Sequence, residues 1–153
     1  MRTIEDLLGE YGESHINKTN KLIHWICVPL IFFSITGLLY AVKIPLVIMN
    51  APITIAHIAL ALVLIYYVML SPSLSLGMAI IGLICLTICN AIEMTGLSIW
   101  KVSLIIFVLA WIGQFIGHKI EGKKPSFLKD LQFLLIGPAW LMSFIYRKVG
   151  ISL

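Results

Sequence analysis

The stretch LSIWKVSLIIFVLAWIGQFIGH, residues 97–118, decides the fold class of this chain. It holds one formal charge, Lys101, in a run as long as the ~20 apolar residues that cross a bilayer as a helix. Two polar side chains, Gln114 and His118, stand one helical turn apart at its end. We therefore predict a transmembrane helix whose final turn carries groups capable of chemistry.

The rest of the chain is equally apolar, with 60% hydrophobic and 12% charged residues among 153. Soluble domains are about half apolar and about a quarter charged, so a water-soluble fold of this size could not cover so much apolar surface. Three more runs, 25–43, 52–70 and 75–92, are near the length of a spanning helix. The predicted fold class is all-α: one integral membrane domain, 1–153, built as a helix bundle with about four transmembrane helices.

Both ends of the chain differ from these spans. Residues 1–24 are predicted to form an amphipathic N-terminal segment, with a helix over 3–20 that breaks near Gly12. Thr3 and Asp6 have the spacing of a capping box. The apolar face of this helix is formed by Ile4, Leu7, Leu8, Tyr11 and His15.

Residues 119–153 are predicted to form a basic loop followed by a short apolar helical segment. The apolar run 131–146 is shorter than a typical span and contains Gly137-Pro138. It is therefore predicted to be re-entrant or interfacial, and the sequence leaves open whether it spans.

The basic residues predict the orientation. With four spans, the N-terminus and the segment after residue 118 lie at the same membrane face. Nine of the eleven basic residues fall at that face: Arg2, Lys18, Lys21, Lys119, Lys123, Lys124, Lys129, Arg147 and Lys148. The positive-inside rule then predicts that this face is cytoplasmic, in a bacterial inner membrane or, for a eukaryotic chain, the endoplasmic reticulum.

The same topology sorts the four histidines. His15, His24 and His118 all fall near the predicted cytoplasmic face. His57 lies in the second span, roughly 20 Å away at 1.5 Å per residue, and is expected to serve helix packing or hydrogen bonding. Three histidines gathered from distant positions are suitable ligands for Fe, Zn, Cu or Ni.

Nearby polar residues extend this candidate site. Glu121 follows His118 by three residues and shares its helical face, which adds a carboxylate. Histidines with one carboxylate and open positions are typical of non-haem Fe(II) sites that use O₂. Asn20 and Gln114 could orient the rings or hold a water molecule. An interfacial histidine is also a common amphipathic residue, so spacing alone leaves a plain structural role open.

Two motifs carry a family resemblance. The first runs from Tyr11 through His15, Asn20 and His24 to the segment Trp25-Ile-Cys-Val-Pro29, and the second is Gln114-Phe-Ile-Gly-His118-x2-Glu121-Gly-Lys-Lys-Pro125. Together with Gly137-Pro138, they resemble the membrane-bound 2-hydroxy fatty acid dioxygenase family over nearly the whole chain.

The resemblance implies an Fe(II)- and O₂-dependent enzyme that shortens a long-chain 2-hydroxy fatty acid by one carbon. It carries over to His15, His24, His118 and Glu121 as metal-site candidates. Asn20 and Gln114 are supporting positions, and these two and Glu121 are the candidate catalytic residues. Lys123 and Lys124 are candidate contacts for the substrate carboxylate, although the family commonly has arginines there, whose forked guanidinium binds carboxylates differently.

The implied cofactor is Fe²⁺, and the implied partners are a 2-hydroxy fatty acid, O₂ and membrane lipid. Nucleic acid is excluded because the basic residues flank apolar spans and form no stripe with aromatic residues. Homo-oligomer formation is left open. Two other functions also stay open: a non-enzymatic transporter or scaffold, and a haem b protein with two axial histidines.

Overall fold

The computed structural model describes residues 3–48, 51–122 and 133–153. These residues form six helices and a two-stranded sheet, which confirms the predicted helical membrane bundle. The helices are α1 (Ile4–Glu13), α2 (Lys18–Tyr40), α3 (Ile55–Leu70), α4 (Pro72–Met94), α5 (Ile99–Glu121) and α6 (Ile136–Val149). The strands are β1 (Lys43–Ile48) and β2 (Ala51–Thr54).

Three of the helices, α2, α4 and α5, are long and apolar enough to cross a membrane. The remaining predicted span, residues 52–70, corresponds to α3, which has 16 residues. At 1.5 Å per residue it is about 24 Å long, a little shorter than the ~30 Å hydrocarbon core of a bilayer. Large apolar side chains face outward along α5, including Leu109 at 62% exposure, as expected of a lipid-facing surface.

The N-terminal segment contains a loop just after Gly12, the residue near which the sequence predicts a break in the helix over 3–20. α1 begins with the predicted capping box, in which Thr3 and Asp6 exchange hydrogen bonds. It ends at Glu13, and α2 begins at Lys18 because the Asn17 side chain caps the amides of Thr19 and Asn20. Residues 18–24 therefore belong to the first long helix, and a short loop carries His15.

The strands β1 and β2 pair as an antiparallel hairpin between α2 and α3, which the sequence pattern did not predict. Their exposed residues Leu46, Val47 and Ile48 are of the β-branched and apolar types that favour extended backbone. Pro45 and Pro52 are tolerated because a two-stranded ribbon consists of edge strands only.

Helices α2 and α5 form the most extensive helix pair, and they run antiparallel. Glycines of α5 let the two backbones approach closely, as small residues do in membrane helix pairs. A Cβ added at Gly117 would lie 2.5 Å from Asn20 Oδ1, and one added at Gly113 would lie 2.5 Å from Cys27 Sγ. This close contact brings the start of α2 beside the end of α5.

Helix α6 packs against α1, α2 and α4 at the end of the bundle where α2 begins. Tyr146 donates a hydrogen bond to the Ser73 carbonyl at 2.7 Å and accepts one from the Gly77 amide at 3.0 Å. The hydroxyl of Tyr67 in α3 donates to the Leu135 carbonyl just before α6. The helix is about half buried, so it forms part of the bundle rather than a separate surface element.

Candidate metal centre

Three elements supply the histidine cluster, which we define as His15, His24 and His118. His15 lies in the loop between α1 and α2, His24 lies in the second turn of α2, and His118 lies in the last turn of α5. The antiparallel packing of α2 and α5 brings the last two together, and the loop places the His15 ring against both of them. The rings are 2%, 1% and 8% exposed, so the cluster is shielded from bulk solvent.

The cluster has the geometry of a three-ligand metal site. One ring nitrogen of each histidine lies within 4.8 Å of the others. Ring centroids are 4.1 Å apart for His15 and His24, and 5.1 Å apart for His24 and His118. Three evenly spaced nitrogens that each lie ~2.1 Å from one metal are at most ~3.6 Å from one another, so metal binding would draw the ring nitrogens closer together than the present limit of 4.8 Å.

Backbone carbonyls fix the orientation of two rings. His15 Nδ1 lies 2.6 Å from the Tyr11 carbonyl oxygen, and His24 Nδ1 lies 2.9 Å from the Asn20 carbonyl oxygen. A carbonyl only accepts, so each Nδ1 carries the proton and each Nε2 keeps its lone pair in the neutral ring. A histidine whose other nitrogen donates to a carbonyl is the usual arrangement of a metal ligand.

An aromatic wall encloses the cluster on the α1 and α6 side. The Tyr11 ring stacks on His15 with centroids 4.3 Å apart, and Trp140 of α6 lies 5.3 Å from both rings. Gly137 permits this packing, since an added Cβ would lie 3.1 Å from Tyr11 Oη. Sequence reasoning missed Trp140, although it follows the Gly137-Pro138 motif by two residues.

The carboxylate of Glu121 does not join the three rings. It extends from the end of α5 to the loop that carries His15, where it accepts hydrogen bonds from backbone amides and from Asn20. The role of Glu121 as a metal ligand stays a prediction that these contacts do not favour.

Two buried amide oxygens border the cluster. Asn20 Oδ1 and Gln114 Oε1 have no hydrogen-bond partner among the described residues, and the side chains are 0% and 7% exposed. Asn20 Oδ1 lies against Gly117, next to His118 in the chain, and Gln114 lies beside the His24 ring. Buried acceptors without a donor are rare in native proteins, so these oxygens can receive a hydrogen bond from a bound molecule.

His57 lies outside the cluster, in the first turn of α3. Its Nδ1 accepts from the Thr54 amide at 3.2 Å, and so His57 helps to cap the helix. It also lines an apolar cavity of about 200 Å³ between α3 and α4. The candidate carboxylate contacts Lys123 and Lys124 lie outside the described residues.

The chain is similar to proteins of known activity along almost its whole length. A family model described as "2-hydroxy-palmitic acid dioxygenase Mpo1-like" matches residues 1–149. A Saccharomyces cerevisiae protein named 2-hydroxy-palmitic acid dioxygenase MPO1 is 32% identical over 147 residues, which cover 94% of this chain and 79% of the yeast protein. No solved structure matches the chain significantly. On the family match and this identity, the chain belongs to the Mpo1-like family.

Proposed function

We propose that this protein is a non-haem Fe(II) dioxygenase that shortens a long-chain 2-hydroxy fatty acid by one carbon at the membrane face where the histidine cluster lies. Membership of the Mpo1-like family supports the dioxygenase activity and the substrate class. The observation that carries the proposal is the cluster itself, in which three shielded imidazoles converge at the end of a lipid-exposed bundle.

The donor set fits a divalent transition metal. His15, His24 and His118 would hold it, since neutral imidazoles suit iron and two of these rings already have their protons on Nδ1. A bound iron with open positions would supply the site where a 2-hydroxy acid and O₂ meet. Three protein ligands leave such positions open. The substrate then supplies the electrons that reduce O₂, so the reaction needs no 2-oxoglutarate.

The protein's own residues would orient the substrate head. The unpartnered oxygens of Asn20 and Gln114 can accept a hydrogen bond from a substrate hydroxyl. An unhydroxylated fatty acid lacks that donor and would leave a buried acceptor unsatisfied, which makes it a poorer substrate. Tyr11 and Trp140 would keep bulk water away from the reacting carbons.

The membrane supplies the substrate tail. The long helices expose apolar side chains such as Leu22 and Ile116 near the cluster end of α2 and α5. A fatty acid dissolved in the bilayer has its head group at the interface, which is the depth expected for a site at the ends of spanning helices. The tail can therefore stay in an apolar environment while the head reacts.

Product analysis tests this proposal. Detergent-purified protein loaded with Fe(II) should convert a long-chain 2-hydroxy fatty acid, in the presence of O₂, to the acid one carbon shorter. Mass spectrometry should find this product without added 2-oxoglutarate, and it should be absent under anaerobic conditions or with chelator. The matched unhydroxylated acid serves as the control substrate.

One outcome would overturn the proposal. If folded, iron-loaded protein consumed no O₂ with any of several 2-hydroxy acid chain lengths, the enzymatic function would be wrong. The transporter or scaffold alternative would then take its place.

A further inference from the structure

Glu121 occupies a position from which it reaches across the site. It is the last residue of α5, which ends there because Gly122 adopts the left-handed conformation with φ of 74°. The Glu121 side chain is thus at the helix end, and it contacts the loop between α1 and α2 rather than its own helix.

Three N–H donors of that loop and of α2 contact the carboxylate. Oε1 accepts from the Ile16 amide at 3.0 Å and from the Asn17 amide at 3.3 Å. Oε2 accepts from the Asn17 amide at 3.0 Å and from Asn20 Nδ2 at 2.8 Å. These contacts come from three donors, because the Asn17 amide is shared between the two oxygens, and they occupy most of the about four positions at which a carboxylate accepts.

These contacts fix the residues on both sides of His15. Glu121 holds the amides of the two residues that follow His15. Asn20 Nδ2, held by the same carboxylate, also donates to the carbonyl of Ser14, which precedes His15. The negative charge lies at the N-terminus of α2, where the helix dipole favours an anion.

We propose that Glu121 is a positioning residue that holds the His15 loop against the end of α5, and that it sets metal affinity through His15 rather than as a ligand. This inference rests on the metal site of the proposed function. Glu121 and His118 stand three residues apart on one rigid helix, so the same element presents one ring of the cluster and docks the loop that presents another.

A double-mutant cycle with Co(II) as the probe tests the inference. The full chain is purified in detergent, and Co(II) affinity is measured by competition with a chelator. Glu121→Gln should weaken Co(II) binding about 10- to 100-fold, the usual loss for a partner that orients a ligand. The amide cannot replace the carboxylate because its NH₂ group would face amide donors. In a His15→Ala background, Glu121→Gln should cause no further loss.

Two more variants keep the test interpretable. Glu121→Asp retains the charge on a shorter side chain and should bind Co(II) with intermediate affinity. This variant tests the inference even if Glu121→Gln folds poorly. Glu93→Gln is the matched control, since Glu93 also lies at a helix end but pairs with Lys43 at 2.7 Å in a separate region. It should bind Co(II) like the wild type.

The outcomes distinguish a failure of the positioning role from a failure of the proposed metal site. An additional loss from Glu121→Gln in the His15→Ala background would mean that Glu121 acts independently of His15, as a ligand would. Wild-type affinity in Glu121→Gln would also overturn the positioning role. If the wild-type protein itself bound no metal, the proposed function would fail instead.

Discussion

His57 is the natural control for the histidine cluster, because it lies in the same bundle but caps α3 instead. Replacing His15, His24 or His118 by alanine should each remove most bound iron, with a larger loss than the about 10- to 100-fold typical of an outer-shell partner. His57→Ala should retain wild-type iron content. Metal analysis of the four purified variants checks this, and iron loss confined to His57→Ala would show that the site has been assigned to the wrong residues.

Gln114 offers a test that separates stability from function. Its Oε1 is buried without a partner among the described residues, and such an acceptor costs about 1–3 kcal/mol. Gln114→Leu should therefore leave the free energy of unfolding unchanged or raised. The kcat/KM for a 2-hydroxy acid should fall about 10- to 100-fold, as for loss of other groups that support a metal site. Thermal unfolding and turnover are measured on the same preparation, and equal turnover would rule out a role in the reaction.

Residue identity names candidates for the site, but it does not show which groups their side chains contact. The motif around His118 predicts that Glu121 lies on the same face of α5 as His118. It could not show that the helix ends at Glu121, or that loop amides lie within reach of the carboxylate. Those facts depend on how α1 packs against the bundle. Trp140 was missed for the same reason, because its contact with His15 joins residues far apart in the chain.

At the scale of helices, the close contact between α2 and α5 determines the distance between His24 and His118. A methyl group at Gly117 would lie 2.5 Å from Asn20 Oδ1 and 3.4 Å from His24 Cε1. Gly117→Ala should therefore push the helices apart, destabilise the protein by about 1–3 kcal/mol and lower metal affinity.

Gly82→Ala on α4 is the matched control for this prediction. An added Cβ there would meet the Leu60 side chain at 3.5 Å, an ordinary contact, and alanine in a helix gains about 0.5–1 kcal/mol over glycine. Unfolding curves and metal titrations of both variants check the pair. Equal stability and equal metal affinity of the two variants would contradict a special role for the contact between α2 and α5.

The pattern of apolar residues predicted which helices form better than it predicted the residues at which they begin and end. The apolar runs matched α4 and α5 closely, because membrane-spanning helices need long uninterrupted apolar stretches. The end of the loop before Lys18 depends on the Asn17 cap. The helical pattern of the sequence does not show that Asn17 begins a new helix. The hairpin was missed because β1 lies almost entirely in the connection between the predicted spans 25–43 and 52–70, and most of β2 was included in the second of these spans.

For the whole molecule, contact among the three rings requires the start of α2 and the end of α5 to lie at one membrane face. Single cysteines at Lys18 and Lys119, in a background lacking the native cysteines, should react with an impermeant reagent from the same side. Lys101 is ~27 Å from Lys119 along α5, so a cysteine there should react from the other side. The positive-inside rule predicts that the Lys18 side is cytoplasmic, and labelling in intact and broken cells checks this prediction.

The spread of the cluster along the chain also has a consequence for biogenesis. Synthesis proceeds from the N-terminus, so His15 and His24 reach the membrane long before His118 is made. The nascent chain thus contains two of the three histidines but cannot bring all three together until α5 has inserted and docked on α2. If the proposed site binds a metal, binding by all three rings can follow only after α5 has been made and has docked on α2, so a bound ion would report a correctly assembled bundle.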